Sequence, residues 1–180
     1  MFGFLRQDGR LDRIVTVAQS AGHVPSSQGP ASVAEYNFDN CPDVDVLVVP
    51  GGQGTRHEVY NERLLDFLRV QFRKQGVRHI FSICTGAALL AAAGILNNCR
   101  ATTNKRSFDW VVSIDTSRQV VWINSNVRWV HHGRILTSAG VSAGMDAALA
   151  LISLTWGSKV AEDVAERAEY AWVGMGEEEE

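Results

Sequence analysis

Cys84 directly follows the apolar run His79-Ile80-Phe81-Ser82-Ile83 and precedes Thr85-Gly86 and a stretch of small residues, Ala87 to Gly94. A short strand turning tightly into a helix holds a side chain at the rim of a sheet, and the helix N-terminus there favours a thiolate. That is the setting of a nucleophile, with the amide of Thr85 or Gly86 able to stabilise developing negative charge. The inert buried thiol is the commoner fate of cysteine, and the strand–Cys–Thr–Gly–helix context is what weighs against it. The Thr85 hydroxyl stands beside the proposed thiolate and can donate or relay a proton; a helix N-cap is its structural alternative.

A second cluster is Gly51-Gly52-Gln53-Gly54-Thr55-Arg56, a glycine-rich loop after the run Val44 to Pro50. Glycines after a central strand can turn bare amides into the crevice at the strands' carboxyl ends, facing the same pocket as Cys84. Phosphate cradling is the rival reading. It fails because no GxxxxGK[ST] is present and the GxGxxG pattern breaks at His57. His57 follows the glycine loop, where an ordinary surface role leads and a place at the pocket rim is the alternative, whereas His23 and His79 read as structural, and His131 and His132 as loop residues. No pair of histidines has metal-ligand spacing, so no metal is expected. Asp146 falls in the first turn of a predicted helix, where it complements the helix dipole or orients a water or polar substrate group.

The elements that must position these groups alternate. Arg13 to Ala18 reads as a strand, followed by a Gly/Pro/Ser-rich connection from Gly22 to Pro30. Val44 to Pro50 is a continuous β-branched run, the pattern of a central parallel strand covered on both faces. Asn61 to Gln75 carries Leu64, Leu65, Phe67, Leu68 and Phe72 at helical spacing, with Gly76 as its C-cap. Arg100 to Thr103 reads as a short strand and Asn104 to Val112 as a short helix. Strands follow at Val120 to Ile123, Val127 to Val130 and Arg134 to Ser138, with His131-His132-Gly133 as the turn joining the last pair. Gly144 to Trp156 is apolar almost all round, a buried helix, and Val160, Val164, Ala168, Ala171 and Trp172 form a last amphipathic stripe. The pattern predicts an α/β sandwich with a mainly parallel sheet and a β-hairpin insertion.

The chain has 180 residues, 46% hydrophobic and 21% charged, which suits one domain over residues 1–176. Residues 177–180 are an acidic tail, read as a solvated end. A net charge of -3 leaves no electrostatic footprint for nucleic acid or an anionic membrane. Cys41, Cys84 and Cys99 form no CxxC motif and no even disulfide framework. With no signal peptide in view and no apolar stretch long enough to span a bilayer, a cytoplasmic protein is expected.

Together these residues resemble the ThiJ/PfpI superfamily, with its class-I glutamine-amidotransferase-like fold. The stretches that carry the resemblance are VDVLVVPGGQGTR, FSICTGAALLAAAGIL, RATTNKRSFDWV, RILTSAGVSAGMDAAL and AERAEYAW, covering most of Asp43 to Trp172. The Cys-Thr-Gly elbow, with ATT and TSAGVSAGMD downstream, is most similar to the isonitrile hydratase-like branch. The resemblance implies a flavodoxin-like three-layer sandwich, usually a homodimer, acting on a small molecule without a cofactor. Carried over, the nucleophile is Cys84, the adjacent hydroxyl is Thr85, and Gly52 joins Gly86 as a backbone donor.

Family members begin with a central strand and a following acidic residue that faces the cysteine. Here the chain opens at Met1-Phe2-Gly3-Phe4-Leu5, which reads as the helix after that strand, and Met1 to Asp12 holds no replacement. Three explanations are open: a truncated start, a segment of this chain or a partner in that place, or a remodelled relative with altered catalysis. Glu58 and Asp146 are the candidate substitutes for the acid, with Gln53 and His57 beside them in the pocket.

The resemblance thus implies a cysteine-dependent hydratase that converts isonitriles to N-substituted formamides. A glyoxalase- or deglycase-like enzyme keeps the thiol but leans on the same acid. A sensor of small molecules or of oxidation on this fold needs no catalysis. Some relatives of the fold are fused to helix-turn-helix regulators, but only the acidic tail follows Trp172, and no DNA-binding module is expected.

Overall fold

The computed structural model describes residues 1–26 and 29–172, and the backbone of residues 177–178. The chain opens with α1 (Phe2–Gln7), as the sequence suggests, and then forms four short strands: β1 (Val17–Ala18), β2 (Gly22–Val24), β3 (Ser32–Ala34) and β4 (Tyr36–Asn37). They pair outside the main sheet, β1 with β4 in parallel and β2 with β3 antiparallel. The strand expected over Arg13 to Ala18 is therefore two residues long. A run of β-branched residues becomes a strand only where a neighbour completes its ladder; the Thr16 carbonyl accepts the Glu35 and Tyr36 N–H groups, but residues 13–15 belong to no strand pair among the described residues.

Next come β5 (Val46–Val49), α2 (Thr55–Glu58), α3 (Glu62–Arg73), β6 (His79–Ile83) and α4 (Gly86–Ala92). Asn61 caps α3, its side chain accepting the Leu64 N–H at 3.3 Å. The helix ends at Arg73 with Lys74 extended as its C-cap, so Gly76 is not the cap. Then follow β7 (Arg100–Ala101), a 3₁₀ turn at Lys105–Ser107, α5 (Phe108–Ile114), β8 (Val121–Trp122), β9 (Trp129–His132) and β10 (Ile135–Ser138). The β9–β10 pair is the expected hairpin. Its strand runs through His131 and His132, which pair with Leu136 and Ile135, and the turn falls at Gly133 with φ 58°. Both histidines are thus strand residues rather than turn residues. The chain closes with α6 (Val141–Trp156), α7 (Ser158–Arg167) and β11 (Glu177–Glu178). Because α6 starts at Val141, Asp146 lies in its second turn, beyond the first turn expected for it.

The main sheet runs β11-β9-β10-β6-β5, with β10, β6 and β5 mutually parallel. The main chain of Glu177 and Glu178 pairs in parallel with Val130 and His131, so part of the acidic tail lies on the sheet edge. Side chains alternate across the sheet. Ile80 and Ile135 point to the layer of α3 and α4, where they meet Leu65, Leu68, Leu89 and Leu90. Phe81 and Leu136 point to the opposite layer with Ala147 and Leu151 of α6, over which α1 and α7 close around Leu5, Ile152 and Val164. This is the three-layer, flavodoxin-like α/β arrangement the sequence predicts.

One strand departs from expectation. β5 ends the order of the sheet instead of lying inside it, and Val48 is 39% exposed where full cover was expected. Among the described residues no helix is long and apolar enough to cross a membrane.

Candidate functional site

Cys84 follows the last residue of β6 and stands half-buried in the left-handed region, with φ 57°. That conformation costs a residue with a Cβ about 1–3 kcal/mol and persists only where its surroundings impose it. Both of its main-chain polar groups are held. Its N–H donates to Ser138 O at 3.1 Å, and its carbonyl accepts the Thr103 hydroxyl at 2.8 Å. The two hydrogen bonds hold the residue in this conformation where the chain leaves β6.

Two glycines let main chain meet main chain here. A Cβ on Gly86 would come 2.3 Å from Val49 O, and one on Gly51 would come 2.7 Å from both Ile83 O and Thr85 N. The loop after β5 therefore lies directly against the elbow after β6.

Thr85 joins the two. Its hydroxyl accepts the Gly52 N–H at 2.9 Å and lies 3.1 Å from the Thr55 hydroxyl and 3.2 Å from Gly52 O. It occupies the N-cap position of α4 yet makes no side-chain cap bond. The Gly52 amide is engaged with this hydroxyl, whereas Gly86 supplies the first amide of α4, which has no partner within the helix.

The remaining candidates are dispersed. Gln53 and His57 are exposed on the loop and α2. Glu58 is half-buried, and its carboxylate accepts the Asn61 side-chain amide at 2.7 Å. Asp146 is fully buried on α6. One carboxylate oxygen takes the Arg128 guanidinium and the other the Tyr170 hydroxyl, the latter at 3.1 Å. Burial, reinforced by Asp146, holds the Tyr170 phenol above its usual pKa. Both carboxylates are thus committed to protein partners. The structure gathers Cys84, Thr85, Gly52 and Gly86; among the described residues Gln53, His57, Glu58 and Asp146 make no hydrogen bond to these four.

Residues 5–154 match the DJ-1/PfpI family. The chain belongs to the DJ-1/PfpI family. It is 36% identical over 148 residues to isonitrile hydratase of Pseudomonas putida, covering 82% of this chain and 61% of that enzyme. It is also 29% identical over 156 residues to the HTH-type transcriptional regulator GbdR of Pseudomonas aeruginosa, covering 87% of this chain and 41% of the regulator. A ThiJ/PfpI family protein from Pseudomonas syringae has a similar solved structure, with TM-score 0.77 and 31% identity over 88% of this chain and 63% of that one. The chain therefore spans about three-fifths of the hydratase's length and two-fifths of the regulator's.

Sequence reading missed the supports of this DJ-1/PfpI elbow: Thr103, Ser138 and Thr55. The signal was present as polar residues inside otherwise apolar or small-residue stretches, ATT and LTSAG, where a buried hydroxyl must find a partner. Among the described residues no three His, Cys, Asp or Glu side chains gather closely enough to hold a metal ion. A cavity of about 650 Å³ beside β5, bounded by Arg10 to Val17, is not lined by Cys84.

Proposed function

We propose that the protein hydrates isonitriles to N-substituted formamides through a covalent intermediate on Cys84. The observation that carries this reading is the half-buried Cys84 at φ 57°, fixed at the carboxyl end of β6. The similarity to isonitrile hydratase supplies the reaction class. The thiolate attacks the terminal isonitrile carbon, forming the C–S bond, and that carbon takes a proton to give a thioimidate. Water adds to the thioimidate carbon, giving a tetrahedral adduct that carries nitrogen, hydroxyl and sulfur. Proton transfer to nitrogen and cleavage of the C–S bond then release the formamide and the thiol. The net change is addition of one water, with no electrons exchanged and no cofactor. The Gly86 amide is the donor proposed to face charge developing beside the elbow.

The test is incubation with a simple alkyl or aryl isonitrile, following formamide by NMR, for the wild type and Cys84→Ala. Turnover by the wild type that disappears in Cys84→Ala supports the hydratase. A folded wild type that makes no formamide overturns it. One observation favours a second reading, a ligand-binding or sensing domain. Glu58 and Asp146, the acids nominated to move protons, are each held in bonds to other side chains. The similarity to a transcriptional regulator accords with that reading.

A further inference from the structure

We infer that a polar cavity beside the elbow holds the carboxylate of a substrate whose reacting end meets Cys84, with the Arg128 guanidinium as the carboxylate's partner. For the reacting group the inference rests on the hydration proposed above, and the substrate class it names is an isocyano carboxylate.

The first observation is where the cavity lies. It measures about 400 Å³ and is walled by Lys105, residues 124–128 and the stretch from Ala139 to Ala143. Both bonds that hold the Cys84 main chain lead into these walls. Its N–H donates to Ser138 O, and Ala139 and Gly140 follow as lining; its carbonyl accepts the Thr103 hydroxyl, and Lys105 lies two positions on. Two residues of chain span at most about 7 Å, so a molecule with roughly three to five carbons between its ends bridges the elbow and the cavity.

The second is how Arg128 is held. Its Nε–H donates to the carboxylate of Asp146, which is fully buried, and its Nη2 donates to the Ser142 hydroxyl at 3.2 Å. Tyr170 stands beside the guanidinium as well. A guanidinium carries five N–H groups in a planar fork, so these three neighbours leave a pair to donate. A fork fixed from behind loses little freedom when it takes a planar, two-oxygen acceptor.

The third is the rest of the lining. Asn124, Asn126 and Ser142 are exposed and polar, and the Lys105 ammonium is placed by bonds to the Thr102 hydroxyl at 2.8 Å and the Ile123 carbonyl at 3.2 Å. Among the described residues that line the cavity there is no Asp or Glu.

These features select the ligand. An alkyl tail would displace water from Arg128 and the asparagine amides and give them no acceptor in return. A phosphate dianion brings two charges to a guanidinium already shared with Asp146. A carboxylate brings one charge and matches the fork.

The first arm of the test needs no turnover. The reagent 4-(iodoacetamido)butanoate and its methyl ester both alkylate a thiolate with loss of iodide, and they differ in the charge of the tail. Their rates at Cys84 are read by mass spectrometry of its peptide and divided by their rates with a free model thiol. The corrected carboxylate-to-ester ratio is expected to be about fivefold or more. It should fall toward one in Arg128→Lys, which keeps a cation for Asp146 but removes the fork. It should persist in Arg106→Gln, because Arg106 is exposed and does not line the cavity. On the wild type, where no variant need fold, butyrate should slow the carboxylate reagent more than the ester. The inference is overturned by a ratio near one on the wild type, by an equal fall in Arg106→Gln, or by equal slowing of both reagents.

The second arm supplies 5-isocyanopentanoate and its methyl ester and follows formamide by NMR. The carboxylate is expected to show a KM lower by about fivefold or more. Formamide from neither, with the alkylation preference intact, removes the hydratase and supports the subsite. Formamide from both with equal KM and equal alkylation removes the subsite and leaves the hydratase.

Discussion

The Gly52 main-chain N–H donates to the Thr85 side-chain hydroxyl at 2.9 Å, so a single threonine ties the loop after β5 to the elbow that carries Cys84. The amide nominated from resemblance as a donor to substrate is thereby occupied in positioning the elbow. Thr85→Val keeps the shape but removes that bond; because Gly52 is exposed and its N–H can turn to water, the expected cost is about 0.5–1.5 kcal/mol of stability. Thr85→Ser keeps the hydroxyl and should lose much less. Urea midpoints of the two variants provide the check; equal values would remove the bond's importance. If formamide is produced at all, Val should slow it and Ser should largely preserve it.

Cys84 gives a second prediction because its backbone and its chemistry can be separated. Alanine removes the thiol but keeps the Cβ at φ 57°. Glycine removes the left-handed penalty of about 1–2 kcal/mol, offset by about 0.5–1 kcal/mol for the extra freedom of the unfolded chain. Cys84→Gly should therefore match or exceed Cys84→Ala in denaturant resistance while both lack turnover. A glycine variant clearly less stable than the alanine variant would contradict a left-handed conformation at this position.

The elbow was legible in sequence because its determinants are local: an apolar strand, a cysteine, then small residues that let a helix approach. Asn61 was equally legible as the start of a helix, since the cap and the apolar stripe lie within four residues of each other. Long-range geometry was not legible. Arg13 to Val15 reads as a strand by composition, yet a strand needs a neighbour, and composition does not say whether one is there. The same absence leaves Val48 open on a run that reads as fully covered. His131 and His132 were misplaced into a turn because Gly133 alone can make it, with φ 58°. The engagement of Gly52 by Thr85 spans 33 positions and has no local signal.

Asp146 supports a prediction about the frame around the site. Its carboxylate is fully buried and takes both Arg128 and Tyr170. Removing one partner of a buried ion pair leaves an uncompensated charge, so Arg128→Met is expected to cost about 3–5 kcal/mol. Removing both charges together in Arg128→Met/Asp146→Leu should recover much of that loss, because the penalty comes from the lone charge. Thermal unfolding of the single and double variants tests this. A double variant no better than Arg128→Met would show that the pair's geometry, rather than its charge balance, holds α6 against the strand of Trp129.

His79 makes stability depend on pH. Burial, followed by the nearby His131 and Arg78, holds its imidazole below the ordinary value of 6.5. In the unfolded chain the ring takes up a proton as pH falls through that value, while in the folded chain it resists. The unfolded state then binds more protons, so stability is fully present above about pH 6.5 and declines as pH falls through the folded pKa. Urea midpoints at about pH 7.5 and pH 5.5 should show this acid-side loss in the wild type. His79→Gln cannot titrate there and should show a smaller loss over the same interval. Equal losses in the two proteins would assign the acid sensitivity to other groups.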